Sequence, residues 1–155
     1  MKLKNLIGII VLGAAGYFGY TFLVTNFSAE AMVYKRYASA LLDSEPSRIK
    51  TLVADNSALE PFKAGQQRKD LINGEVRFTW YEFKDKKFSN DGKSVTLTVL
   101  QKMRVDPPGE DTFYGTVVRS DRHVVVLEKF QSSWRIRSFE DTPMMNYRAE
   151  NSSRR

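Results

Sequence analysis

The chain has 155 residues, with 24 Lys and Arg against 18 Asp and Glu, one histidine and no cysteine. The missing cysteines exclude disulfides, lipoprotein attachment, thiol catalysis, iron–sulfur ligation and cysteine zinc sites. The net charge of +6 falls to +4 once Lys2 and Lys4 are set aside, which is ordinary for a soluble surface.

Lys2 and Lys4 precede LIGIIVLGAAGYFGYTFLV, an uncharged run from Leu6 to Val24. As a helix it would be roughly 28 Å long, close to the hydrocarbon thickness of a bilayer. A signal peptide has a shorter apolar core and a small-x-small cleavage site. Gly13-Ala14-Ala15 and Ala29-Glu30-Ala31 are the two candidates for such a site. The first would leave a very short core, and the second falls where a soluble helix begins. Tyr17, Phe18, Tyr20 and Phe22 suit an interfacial belt better than a cleavage region. Residues 1–27 therefore read as a cytoplasmic start and a membrane anchor. Basic residues flank only its N-terminal side, so the positive-inside bias keeps the N-terminus in the cytoplasm and exports the domain beyond the anchor. The expected location is the cytoplasmic (inner) membrane with a periplasmic domain, where nucleic acid is not an expected partner. Gly8, Ala15, Gly16 and Gly19 offer small surfaces for packing against another membrane helix, although glycine is common in such helices anyway.

Residues 28–141 have the pattern of one domain. Ser28 is a candidate N-cap, with Phe27 stapling onto Met32. Met32, Val33, Tyr34, Tyr37, Ala38, Leu41 and Leu42 recur at helical spacing up to Asp43. Glu45-Pro46-Ser47 starts a second helix over Ser47–Ala54, and a third is expected over Pro61–Ile72. From Glu75 the period becomes two. EVRFTWYEF places Val76, Phe78 and Trp80 on one face, and Ser89-Asn90-Asp91-Gly92 is a turn. Ser94–Val105 is a long strand whose apolar phase slips near Val99-Leu100, which predicts a bulge. Thr112–Ser120 and His123–Phe130 come next as two strands or one bent strand. Gln131-Ser132-Ser133 turns into Trp134–Glu140. The polar tail from residue 142 to residue 155 is expected to be mobile. The fold class is α+β: a transmembrane helix, then about three helices on a curved antiparallel sheet of four to five strands.

HVVVLEKF, a short polar turn and WRIRSFED together resemble the final hairpin of the nuclear-transport-factor-2-like, cone-shaped α+β (cystatin-like) superfamily. The helices-then-meander order over Ser28–Asp141 is similar too. The resemblance implies a cone whose inner face is sealed by Trp134 and Ile136. It leaves the chemistry open, because that superfamily holds isomerases, dehydratases, binding domains and scaffolds. An exported cone on a single anchor also looks like inner-membrane components of type IV secretion machines, though no residue motif ties this chain to them.

Few residues suggest catalysis. His123, in Asp121-Arg122-His123, reads as a solvated turn histidine rather than half of an acid–base pair. Glu82 and Glu128 share parity with apolar neighbours. Facing a cone interior with Tyr34, Tyr37 and Trp80, they would line a ligand pocket with a raised carboxyl pKa. As strand-end residues they would instead pair with Lys102 or Arg104, and the aromatics would be core. Lys84, Lys86, Lys87 and Lys93 cluster at the first hairpin, where they fit anionic headgroups, an acidic partner or plain solvation. No metal-ligand spacing, phosphate loop or nucleophile set is present, so no metal and no cofactor are expected. The leading reading is a non-enzymatic interaction or scaffold module in an envelope membrane assembly, its partners other membrane proteins or copies of itself.

The anchor predicts an intact N-terminus on protein recovered from alkali-washed membranes. A mass lacking the first 15 or 31 residues would contradict it.

Overall fold

The computed structural model describes residues 3–55, 75–106, 117–144 and 147–148. One residue separates the apolar helix from the domain. Helix α1 (Leu3–Phe27) has 25 residues, and its side chains from Ile10 to Phe27 are left largely uncovered, Leu12 being 75% exposed. By length and composition this stretch suffices to cross a membrane. Ser28 then takes extended backbone (φ −64°, ψ 156°), and α2 (Ala29–Leu42) starts at the next residue. The Ser28 hydroxyl does not cap α2, contrary to the sequence expectation. It accepts a hydrogen bond from Lys86 instead. Helix α3 (Pro46–Leu52) opens with proline at its first turn, where the missing N–H costs nothing.

Four long strands form an antiparallel meander: β1 (Glu75–Phe88), β2 (Ser94–Asp106), β3 (Val117–Phe130) and β4 (Ser133–Pro143). A two-residue strand, β5 (Tyr147–Arg148), pairs with the start of β3 beyond the end of β4. The expected α+β class is therefore the observed one. The third soluble helix expected at Pro61–Ile72, residues 112–116 of the strand expected at Thr112–Ser120, and residues 149–155 lie outside the described residues.

Helices α2 and α3 cover one face of the sheet. Tyr34, Tyr37 and Ile49 interleave there with Val95, Leu97, Val99, Val125, Leu127 and Ile136, all at 1% exposure or less. Burying aliphatic side chains of this size is worth about 1.5–3 kcal/mol each before chain entropy is charged. The end of α3 is stitched to the last strand, with Val53 bridging Ile136 and the Ala54 N–H donating to the Ile136 carbonyl at 2.7 Å.

The register corrects several expectations. Strand β2 alternates without a slip, since Val95, Leu97, Val99, Gln101, Met103 and Val105 are all buried. Polar Gln101 occupies an inner position and Leu100 an outer one, which imitates a bulge in sequence. The real irregularities lie in β1, between Val76 and Phe78 and between Phe83 and Asp85, and where β4 passes Val126 and Leu127. The extra residue at Arg77 rotates β1, so Tyr81 and Phe83 join the core while Phe78 and Trp80 face outward. Strand β1 also runs five residues past its expected end at Phe83, and Asp121-Arg122-His123 is mid-strand in β3 rather than a turn. Pairing continues past Asp141 into Pro143 and Tyr147–Arg148, so ordered structure reaches into the segment expected to be a free tail.

Two phenylalanines of β1 test this register. Phe83→Ala should cost about 3 kcal/mol in denaturant unfolding of the full chain in micelles, against about 0.5 kcal/mol or less for Phe78→Ala. The reverse ranking would mean that Val76, Phe78 and Trp80 face inward together.

Candidate functional site

Two places concentrate polar chemistry. The first is a buried row beneath α2. Because β3 is continuous, Asp121 and His123 point inward with Val125 and Leu127, and each is 3% exposed. Tyr34 of α2 comes down onto this row, its hydroxyl 2.7 Å from His123 Nδ1. Burial first, then the neighbouring Tyr81 and Asp121, push the Tyr34 phenol well above its usual range, so it keeps its proton. The phenol shares a hydrogen bond with Nδ1, and His123 Nε2 faces Asp141 Oδ1 at 3.6 Å. Asp121 is held by Arg119 Nε at 3.0 Å. Tyr81, whose phenol burial and then Asp43 push up to about 12, packs edge-on to Tyr34 at 5.6 Å. Gln101 completes the row between Tyr81 and Asp121, and its buried Nε2 has no hydrogen-bond partner among the described residues.

This constellation has the residue types of acid–base chemistry, but Tyr34 is 0% exposed and its ring edges are covered by Tyr81, Phe83 and His123. A polar group closed in this way is part of the core and fixes how α2 packs on the sheet. Sequence reasoning missed it because it took Asp121-Arg122-His123 for a turn. The available signal was parity: His123 is in phase with Val125 and Leu127.

The second place is the junction at Ser28, where two lysines converge. Lys35 Nζ donates to the Asn26 carbonyl at 2.8 Å, one of the unsatisfied carbonyls at the end of α1, and lies over the rings of Phe27 and Phe83 at 5.1 and 5.5 Å. Its partial burial lowers its pKa. From the sheet, Lys86 Nζ donates to Ser28 Oγ at 3.2 Å and forms an ion pair with Glu30, whose side chain is 6% exposed. Burial alone would raise the Glu30 carboxyl. Hydrogen bonds from Lys86, its own backbone amide and Ser28, with the Lys86 charge, outweigh that and hold it below the usual carboxylate range.

The sequence-predicted residues do not assemble as one pocket. Tyr34 and Tyr37 are inner-face core. Trp80, Glu82 and Glu128 sit on the outer face, because the Arg77 bulge rotates β1 and Glu128 has the opposite parity to Asp121 and His123. Glu82 bonds Lys102 and Lys84, which hold its carboxyl below its usual range, the opposite of a pocket base. Glu128 pairs with Arg137 at 3.0 Å. Of the four hairpin lysines, Lys84 meets Glu82, Lys87 meets Asp85 at 2.9 Å, Lys86 is turned into the junction, and Lys93 is exposed in the turn. In α1, an added Cβ at Gly16 or Gly19 would meet open space, and Gly8 and Ala15 belong to the same helix. Among the described residues no cluster of His, Asp or Glu is arranged to hold a metal ion. Comparison of the sequence with protein-family models and with curated proteins finds no match.

Two substitutions test these contacts. Tyr34→Phe leaves buried Nδ1 without its hydrogen-bond partner and should cost about 1–2 kcal/mol in unfolding. Glu30→Gln should cost about 2 kcal/mol at pH 7, since it strands Lys86 in a partly covered site. The folded pKa of Glu30 is depressed, so the stability it contributes is present above its unfolded pKa and is lost as pH falls through the folded one. The gap between wild type and Glu30→Gln in acid titrations should therefore start to shrink as pH falls past the ordinary Glu pKa of about 4.3 and close below the depressed folded one, whereas a constant gap would refute the ion pair's role.

Proposed function

We propose that this chain is a single-pass membrane protein that holds a non-enzymatic interaction module outside the cytoplasm, at the inner membrane of a bacterial-type envelope. The observation that carries the proposal is the pairing of an uncovered bilayer-length helix with a domain interior filled by its own side chains. Tyr34, Tyr37, Leu97, Val99, Val125 and Ile136 at 0% exposure occupy the face where a cone-shaped enzyme would keep its ligand. The helices-then-meander order supports likeness to nuclear-transport-factor-2-like cone domains, and the single anchor supports a place in a membrane assembly of the secretion type. Basic residues only on the N-terminal flank of α1 support the exported orientation.

The contact surface for a protein partner is the outer face of β1 and β2. Phe78 is 61% exposed there and its ring lies 5.7 Å from that of Trp80, with Lys102 and Arg104 opposite them in register. An exposed phenylalanine beside a half-buried tryptophan, with an arginine opposite, matches the aromatic and arginine enrichment of protein interfaces. A photocrosslinking residue replacing Phe78 should, in native membranes, trap a discrete protein adduct identifiable by mass spectrometry. The same residue replacing Ser138, on the outer face of β4, should trap less. Recovery of monomer alone from both positions would overturn the interaction reading.

A further inference from the structure

At the hairpin end of the sheet, aromatic rings and cations cluster on both faces, the chain from Lys86 through Phe88 to Trp134 and Lys129 lying on the helix-covered face and Phe130 with Arg135 on the other. Lys86 Nζ, already bound to Ser28, lies 5.1 Å from the centre of the Phe88 ring. The exposed Phe88 (51%) is thus at the level where α1 ends. Phe88 in turn packs against Trp134, ring centres 6.3 Å apart. Lys129 Nζ sits over Trp134 at 6.0 Å, and the Arg135 guanidinium over Phe130, itself 45% exposed, at 5.3 Å. Lys129 and Arg135 make no ion pair among the described residues, Lys93 adds exposed charge beside them, and Lys87, though paired with Asp85 at 2.9 Å, is 78% exposed. Sequence reading found only the lysines of this surface, since its aromatics come from three strands.

We infer that this end of the domain docks into the headgroup layer of an anionic phospholipid membrane, with exposed Phe88 entering the interface, half-buried Trp134, whose other side packs on the core, at its edge, and Lys87, Lys93 and Lys129 meeting lipid phosphates. Three features select a lipid surface over an acidic protein. Aromatic rings capped by long cationic side chains are what the bilayer interface favours, apolar bodies inward and charge at headgroup depth. The patch is continuous with the end of a helix of membrane length. Its position is fixed by the Lys86 contact, which leaves the hairpin end no distance to travel from the bilayer surface. Each exposed lysine adds attraction that depends on anionic lipid and weakens with salt. The inference rests on α1 lying in the membrane.

The chain has two tryptophans, so Trp80→Phe leaves Trp134 as the sole reporter and Trp134→Phe leaves Trp80 as the control. Both full-length variants are reconstituted in vesicles of brominated phosphatidylcholine, with or without phosphatidylglycerol. With phosphatidylglycerol, Trp134 should be quenched about twofold more than Trp80, whose place is the outer face of β1. Adding Lys87→Glu, Lys93→Glu and Lys129→Glu, all exposed positions, should bring Trp134 down to the Trp80 level with circular dichroism unchanged. Quenching of Trp134 no greater than that of Trp80, in protein that still floats with vesicles after an alkaline wash, overturns the docking inference alone. Equal quenching with and without phosphatidylglycerol overturns its anionic selectivity. Protein that fails to float overturns the membrane reading and this inference together.

Discussion

The pair of lysines at Ser28 is the constraint on which the rest of the structure depends. Ser28 breaks a helix that would otherwise run straight out of the apolar segment, and one extended residue alone would be a free hinge. Lys35 ties the last turn of α1 to α2, and Lys86 ties the start of α2 to β1 through Ser28 and Glu30. Both ammonium groups lie over aromatic rings, so each contact combines charge, hydrogen bonding and apolar cover. The sheet is thereby registered to the point where the chain leaves the apolar helix. Which end of the meander lies beside that point is set by the register of β1, not by the loops.

The interior beneath α2 is a closed polar row. A histidine, two tyrosines and two aspartates meet under α2, a set with which acid–base chemistry is readily imagined. They are spent on one another: Tyr34 on His123, His123 toward Asp141, Asp121 on Arg119. Buried polar groups satisfied in this way specify a single packing of helix on sheet and carry a cost if any one is removed. Among the described residues, the outer aromatic pair at Phe78 and Trp80 and the cation-capped hairpin end are the surfaces that combine rings with cations.

Much of the fold was legible because its signals are local. The apolar run of α1, the helical spacing from Met32 to Leu42, the proline that opens α3 and the turn at Ser89–Gly92 each depend on a few neighbouring residues. The facing of β1 was not legible, because a bulge at Arg77 changes which residues point inward and nothing in EVRFTWYEF announces it. Gln101 misled in the opposite way, since a polar residue held at an inner position looks like a slipped strand. Lys86 was read as part of a charged hairpin tip. Its partner, Glu30, lies 56 residues earlier, and no local pattern links the two. The site at the hairpin end was half legible: its lysines are close in sequence, but Trp134 and Phe130 reach them only through strand pairing.

The absence of cysteine permits single spin labels to be placed without background. The central claim is that the hairpin end of the sheet is held at the bilayer surface by the junction at Ser28. Labels at Asn90→Cys, in the β1–β2 turn, and at Thr142→Cys, about 30 Å away along the sheet, test it directly by their relative accessibility to oxygen and to a water-soluble nickel chelate. In the full chain in anionic bilayers, the label at position 90 should show headgroup-depth accessibility and the label at position 142 fully aqueous accessibility. Aqueous accessibility at both positions would contradict it.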